Sequence, residues 1–474
     1  MQFDIVIVGG GIAGLACAVA LRDSGLQVGV VEASSTLGGR ACSWTDRHSG
    51  DDVDLGPHII LTEYRNMLAF LELLGTRDRI VWETGRLLRL REGQHVTDMR
   101  LHALSPPLHL MPSFATAERI GWADILSCRR VLCMAMRLTE AQVRRLDRKS
   151  ALELLRHCGV TSHFIEWFWA TACISVLNVP LERCSAGALM RVFAQLVGLK
   201  EYAIGFADVA LAELFVSPAI RKLERAGSVI HLDARVVRMV AENGRFQYIA
   251  LEGGERVAAR ICVAAVTPQS LMSMLPDGWR QMRPFMSVGG FEPSPYVSCY
   301  LWFDRKLGDE RFWARIWNPA DLNTDFYDLS NIRCGWSDRH GSVIASNIIY
   351  SHRADSLSDE QIVATTVREI QQALPAAERA SVRHAVVNRI PMAIPCPTPG
   401  SERNRPATRT PIEGLLLAGD WTDTALPASM ESAVHSGWAA AEAIFRWQGA
   451  PRSLVLPKRA PEGIAGWVHR HGAG

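Results

Sequence analysis

The run DIVIVGGGIAGLACAVAL, residues 4 to 21, constrains this chain more than any other stretch. Phe3 to Val8 is apolar and β-branched apart from Asp4, the pattern of a strand covered on both faces in a parallel sheet. Gly9, Gly11 and Gly14 follow at GxGxxG spacing, and Leu15 to Leu21 continues with Ala and Leu that suit a helix. A strand that passes through a glycine turn into a helix is half of a βαβ unit. The fold class predicted is therefore α/β, with a Rossmann-like sheet built from the N-terminus.

The spacing has a chemical reading. Gly9 permits a sharp turn, Gly11 lets a ligand touch the main chain, and Gly14 lets helix and strand pack closely. The N–H groups and positive dipole end of the helix then face a pyrophosphate. Gly25 ends the helix, QVGVVE (Gln27 to Glu32) reads as the second strand, and Glu32 stands 18 residues beyond Gly14. That is where a ribose hydroxyl needs an acceptor. Ala13 inside the motif and Ala33 beside Glu32 complete this expected dinucleotide contact set.

The whole chain, 474 residues, exceeds the roughly 250 to 300 at which one core stops growing, so more than one structural unit is expected. With 51 basic against 49 acidic residues spread along the sequence, nothing favours nucleic acid as a partner. The eleven cysteines stand singly, without a CxxC pair or metal-type Cys/His spacing, so reduced thiols in a cytoplasm and no metal site are expected. The N-terminus lacks the positive charge of a secretory leader, and no run of about 18 apolar residues appears.

Two further motifs narrow the nucleotide. Gly38, Gly39 and Arg40 follow the ribose strand, where a guanidinium is placed to neutralise the pyrophosphate. Near the other end, GLLLAGDWTDTALPASMESAVHSGWAAAEAI (414–444) reads as a strand from Leu415 to Ala418, a Gly419-Asp420 turn, and a helix from Ser429 bearing Ala433, Ser436, Gly437 and Ala440. Glu32 paired with GGR, and this C-terminal signature, resemble the flavin-containing amine oxidase and phytoene desaturase superfamily. The resemblance implies FAD, with Asp420 at the ribityl-phosphate region and Ser429 and Met430 facing the isoalloxazine. It also implies that GSVIHLDARVVRMV (227–240) is the strand whose Val236 packs the adenine, that ARICVAAVTP (259–268) returns to the sheet, and that Gly56 and His58 of DVDLGPHIIL approach the flavin ring. His58 is the candidate proton donor.

The resemblance covers nearly the whole chain and implies a discontinuous FAD domain: 1–70, 205–280 and 396–450. The substrate domain would comprise a mainly helical 71–204 and a 281–395 with strands such as YVSCYLWF and SVIASNIIY, leaving 451–474 as a peripheral tail. The inserted segments are rich in apolar residues, among them Phe164, Trp167, Phe168 and Trp169, which either line an apolar tunnel or pack as core. WADILSCRRVLCMAMRL (122–138) reads as a helix at a membrane surface with Arg129, Arg130 and Arg137 toward lipid phosphates. Four stretches, DLGPHIILTEYRNMLAFLELLG, FWATACISVLNVPLERCSA, GFADVALAELFVSPAIRKLERAG and AGDWTDTALPASMESAV, resemble squalene-associated FAD-dependent desaturases. That resemblance implies conversion of hydroxysqualene to squalene, as in hopanoid synthesis, by a cytoplasmic enzyme resting on the inner membrane face and reset by an unidentified redox partner. The chain departs from that pattern between Asp304 and Tyr350, where TDFYDLSNIRCGWSDRHGS (324–342) stands, and at ASMESAV, which resembles phytoene desaturases instead. The alternatives are a phytoene-type desaturase, a flavin amine oxidase, and a non-catalytic prenyl-binding escort.

Overall fold

The computed structural model describes residues 1–93 and 95–472. Its first sheet has seven strands, and five of them run parallel: Val229–His231, Val28–Val31, Gln2–Val8, Arg256–Ala264 and Leu415–Leu417. Arg245–Leu251 and Val236–Glu242 extend it as an antiparallel meander. Ile5, Val6 and Ile7 are fully buried, as the unbroken apolar run requires of a strand covered on both faces. One covering layer contains the helices Ile12–Leu21 and Met430–Trp447, which share a core with Ile5 and Ile7. They cross so closely that a Cβ on Gly437 would lie 2.3 Å from the Ala13 carbonyl oxygen, which explains the run of small residues there.

The second sheet also has seven strands, in the order Val382–Pro395, Pro293–Phe303, Val343–Ile349, Asp325–Asp328, Phe312–Arg315, Leu88–Glu92 and His95–Met99. Alternation along these strands divides their side chains between two cores. Val297, Cys299, Leu301, Phe326, Ile344 and Ile348 pack with Ile362 and Ile370 of the helix Asp359–Ala373. Tyr300, Trp302, Tyr327 and Ala345 face the opposite way, toward the helices between Met111 and Gly198. The mixed α/β architecture predicted from the sequence is present.

Several local expectations need correction. The adenine-side stretch 227–240 is two strands, because Asp233 adopts a left-handed φ of 51° between them. The predicted surface helix 122–138 is two helices, Trp122–Ser127 and Arg129–Met136, meeting at Cys128. Segment 71–204 contributes the Leu88–Glu92 and His95–Met99 hairpin besides its helices. The tail is not peripheral: Leu454, Val455 and Leu456 pack on the first core, and Gly463–His471 is a helix against Arg129–Met136.

Candidate functional site

Four parallel strands end in register, since Val8 pairs with both Val31 and Ala264, and Ala264 pairs with Leu417. The chain leaves them as Gly9, Glu32, Ala265 and Ala418-Gly419, and these carboxyl ends open one crevice, the place where an open α/β sheet takes its ligand. The three motif glycines divide the work as their spacing predicts. Gly9 holds φ of 104°, and a Cβ on Gly14 would sit 2.0 Å from the Gly9 carbonyl oxygen. A Cβ on Gly11 would meet nothing within 4 Å and would project into open space beside the cavity that Gly11 lines. The helix Ile12–Leu21 starts at Gly11 without a side-chain cap, leaving its N–H groups free for an anion. Glu32 lines the same crevice and accepts hydrogen bonds from the Gly10 N–H at 2.7 Å and the Ser34 N–H at 2.9 Å. Ala13, Ala33 and Val236 line it too.

The two ends of the chain meet in this crevice. Gly39 leaves Gly38 with φ of 57°, and the Gly38 N–H donates to the Gly10 carbonyl at 2.9 Å, joining the GGR turn to the glycine motif. Arg40 donates to both carboxylate oxygens of Asp420, at 2.7 and 3.0 Å, and to the Ala393 carbonyl at 2.7 Å. Asp420 is 3% exposed. The sequence placed Arg40 on a pyrophosphate and Asp420 on a ribityl hydroxyl; here the two charges satisfy each other first and clamp the crevice from within. Gly419 has φ of 143°, and its N–H donates to Ser436 Oγ at 2.8 Å. Ser429 caps the helix Met430–Trp447 by accepting from the Ser432 N–H, and Ser429 and Met430 both line the crevice.

The crevice and an apolar chamber form one cavity of about 930 Å³. Gly56 and His58 line it. A Cβ on Gly56 would come within 3.0 Å of the Tyr296 ring, and His58 Nδ1 donates to the Gly56 carbonyl at 2.8 Å. Burial holds His58 below the ordinary imidazole range. Beyond Gly56 the walls are hydrocarbon, with Leu90, Phe114, Leu189, Phe193 and Leu196 among them. Of the four aromatics singled out in the sequence, Phe168 and Trp169 reach the cavity, whereas Phe164 and Trp167 are core.

Sequence reading missed a polar group inside this apolar part. Asp325, Tyr327 and Asn347 line the cavity and are each at most 3% exposed. Asp325 and Asn347 are cross-strand partners, and the pairing extends through Ser298 to Asn388, forming a polar row across four strands. Ser298 Oγ donates to the Leu55 carbonyl at 2.7 Å, beside the Gly56 turn. Asp325 lies in the segment that departed from the expected pattern, where Arg333 also pins the N-terminal turn by donating to Asp54 at 2.6 Å. Burial pushes the Asp325 carboxyl up to about 7, against hydrogen bonds from Tyr327, Thr324 and Asn347. Glu431, equally unforeseen, accepts from Asn66 N–H, Asn66 Nδ2 and Met67 N–H and so caps the helix Arg65–Leu74.

An uncapped helix N-terminus, a glycine whose missing side chain leaves open space, and an acidic residue at the second strand end together fit a flavin dinucleotide. Such a cofactor accepts or donates hydride, while the chain binds, orients and excludes water. Curated relatives agree in kind. The chain is 26% identical over 460 residues to a 15-cis-phytoene desaturase of Synechococcus elongatus, covering 94% of this chain and 96% of that protein. It is 23% identical over 480 residues to a probable zeta-carotene desaturase of the same organism, covering 94% and 99%. Among solved structures, putrescine oxidase bound to putrescine shares the fold, with a TM-score of 0.73 at 18% identity over 94% of this chain and 99% of that one. Cyclohexylamine oxidase from Brevibacterium oxydans does so at 0.67 and 17%, covering 95% and 100%. A family model described as flavin containing amine oxidoreductase matches residues 12–445, and the chain therefore belongs to that family: it is an FAD-dependent oxidoreductase.

Proposed function

We propose that this enzyme moves hydride between its flavin and an allylic carbon of a long-chain isoprenoid. The observation that carries this reading is the continuity of the cavity, which runs from the glycine crevice past Gly56 into a hydrocarbon-lined chamber. A charged or highly hydrated substrate gains nothing from such walls, whereas a C30 or C40 chain replaces water along its whole length. The carotenoid desaturases among its relatives favour desaturation: an allylic C–H gives hydride to the flavin and a neighbouring carbon loses a proton. A second reading, reductive dehydroxylation of hydroxysqualene to squalene, is favoured by Asp325, Tyr327 and Asn347, since a pure hydrocarbon has no use for buried polar groups. An amine substrate would call for an aromatic cage or a carboxylate held ionised, and burial acts on Asp325 against ionisation.

Delivery from a bilayer belongs to the same proposal. Trp122 and Trp467 are 64% and 59% exposed; Leu104, Leu108 and Leu126, close in sequence to the cavity-lining Leu110 and Phe114, are also exposed, as is Ile464, whose N–H donates to Ser105 Oγ at 3.0 Å. Arg129, Arg130 and Arg137 are exposed on the adjoining segment, suiting anionic headgroups. No helix among the described residues is long and apolar enough to cross a membrane.

The test is incubation of oxidised and dithionite-reduced holoenzyme with phytoene, hydroxysqualene and squalene in detergent micelles, followed by product mass. Loss of two hydrogens assigns desaturation, replacement of hydroxyl by hydrogen assigns dehydroxylation, and inertness toward every isoprenoid refutes the reading. Flotation with anionic vesicles tests the surface, and replacing Trp122 and Trp467 by Ser should release the protein from them.

A further inference from the structure

We propose that Asp325 and Asn347 form a hydroxyl-binding site in the apolar cavity, with Asp325 donating the proton that turns a bound hydroxyl into departing water. This rests on the isoprenoid reading, and within it selects an oxygenated substrate.

The argument begins with an unpartnered acceptor. Asn347 lines the cavity at 3% exposure, and its Oδ1 has no hydrogen-bond partner, although its Nδ2 reaches Tyr327 Oη at 3.5 Å. A buried polar atom without a partner is destabilising, so a ligand able to donate a hydrogen bond is favoured there and a hydrocarbon is not. Asp325 stands directly across the ladder from Asn347, on the same face of the sheet. Tyr327 Oη donates to Asp325 Oδ2 at 3.2 Å and Thr324 Oγ1 to Asp325 Oδ1 at 3.3 Å, and the Asn347 amide also hydrogen-bonds the carboxyl, so it is oriented without a counter-charge while Asn347 Oδ1 stays open to a ligand. The titratable groups facing Asp325 are the phenols of Tyr327, on its own strand, and of Tyr296, on Pro293–Phe303, and burial keeps both neutral. Asp325 forms no ion pair with a described cation, and burial keeps its carboxyl protonated up to about pH 7.

An alcohol is complementary to this pair: its hydrogen goes to Asn347 Oδ1 and its oxygen accepts from the Asp325 carboxyl. The allylic C–O bond then breaks with its electron pair remaining on oxygen, the carboxyl proton completes a water molecule, and an allylic cation and the Asp325 carboxylate are left. Hydride from the reduced flavin fills the cation with two electrons and gives the hydrocarbon; the carboxylate recovers its proton from solvent. Tyr327 is a positioning residue in this scheme. The surrounding hydrocarbon offers the cation no competing nucleophile.

The experiment uses holoenzyme in two measurements. Binding is read from the perturbation of oxidised-flavin absorbance on titration with hydroxysqualene or squalene in micelles, and the chemical step from single turnover of dithionite-reduced enzyme across pH. Wild type should bind the alcohol at least tenfold more tightly than the hydrocarbon, and Asn347→Leu should erase that preference. Asp325→Asn should keep its FAD but lose about 10²–10⁴-fold in the single-turnover rate, together with the fall in rate above about pH 7 expected of wild type. Tyr327→Phe, which removes a donor to the ionised carboxyl, should move that limb to higher pH, and it carries the test should Asp325→Asn fail to fold. Wild-type rate and pH profile in Asp325→Asn, or equal binding of alcohol and hydrocarbon by wild type, overturns the proposal. If wild type desaturates phytoene but leaves the alcohol intact, this inference falls while the isoprenoid reading stands; if no isoprenoid perturbs the flavin, the isoprenoid reading itself falls.

Discussion

Two alanine substitutions three residues apart should separate binding from folding. At Gly11, φ is −74° and ψ −178°, a conformation open to any residue, and an added Cβ meets no protein atom within 4 Å. The folded backbone therefore loses nothing, and the unfolded chain loses freedom, so apo Gly11→Ala should be as stable as wild type or about 0.4–1 kcal/mol more stable. The new methyl does occupy the crevice, and a phosphate in contact with that main chain must retreat by an ångström or more. A loss of FAD affinity of about 10- to 100-fold, about 1.4–2.8 kcal/mol, is expected. At Gly14 the added Cβ would lie 2.0 Å from the Gly9 carbonyl oxygen, about 1.0 Å inside the 3.0 Å limit that real contacts respect. Its neighbour is backbone at a strand end and has no rotamer to yield, so Gly14→Ala should lose about 1–3 kcal/mol or more in the apo protein as well. Urea unfolding of the apo forms measures the first quantity, and fluorescence titration with FAD the second. Gly11→Ala with wild-type FAD affinity would refute the placement of the cofactor against this turn, whatever Gly14→Ala does.

Other substitutions test the clamp and the proton chemistry. Asp420→Asn leaves the partly exposed Arg40 without its counter-charge and should lower apo stability by about 2 kcal/mol and reduce FAD retained after dialysis. Glu431→Ala removes the acceptor for three buried donors and should cost about 3 kcal/mol in urea unfolding, with Glu431→Gln in between. His58→Ala should cut turnover while leaving FAD bound, and unchanged turnover dismisses His58 from the chemistry. Because Asp325 holds its proton up to about pH 7 in the folded state but only to its ordinary carboxylate range when unfolded, the native state binds more protons between those values. Stability from this group is full in acid and is lost as pH rises through about 7; Asp325→Asn should remove that part of the slope in a pH series of unfolding free energies.

The parts of the site that were legible in the sequence are those whose reason is local. A strand buried on both faces has an unbroken apolar run, and a turn against phosphate needs glycine at fixed offsets, so Gly9, Gly11, Gly14, Glu32 and Gly419 could be placed from the chain itself. Arg40 and Asp420 were each found by motif, but their union across 380 positions was not, because nothing local to either residue encodes a partner that the sheet brings from the other terminus. Asp325 and Asn347 were invisible for a related reason. Asp325 shares its short strand with Asp328 and Asn347 follows Ser346, so nothing local marks either residue, and only the ladder register puts them side by side, facing the cavity. Their surroundings also explain why the segment around them departs from the expected pattern: a carboxyl and an amide in a hydrocarbon chamber are costly to fold, and fold-level resemblance conveys nothing about what repays that cost. The cofactor half of this enzyme can thus be read from a short run of residues. The substrate half is written in cross-strand neighbours, where a buried acceptor left without a donor says more about the missing ligand than the aromatic residues that drew attention first.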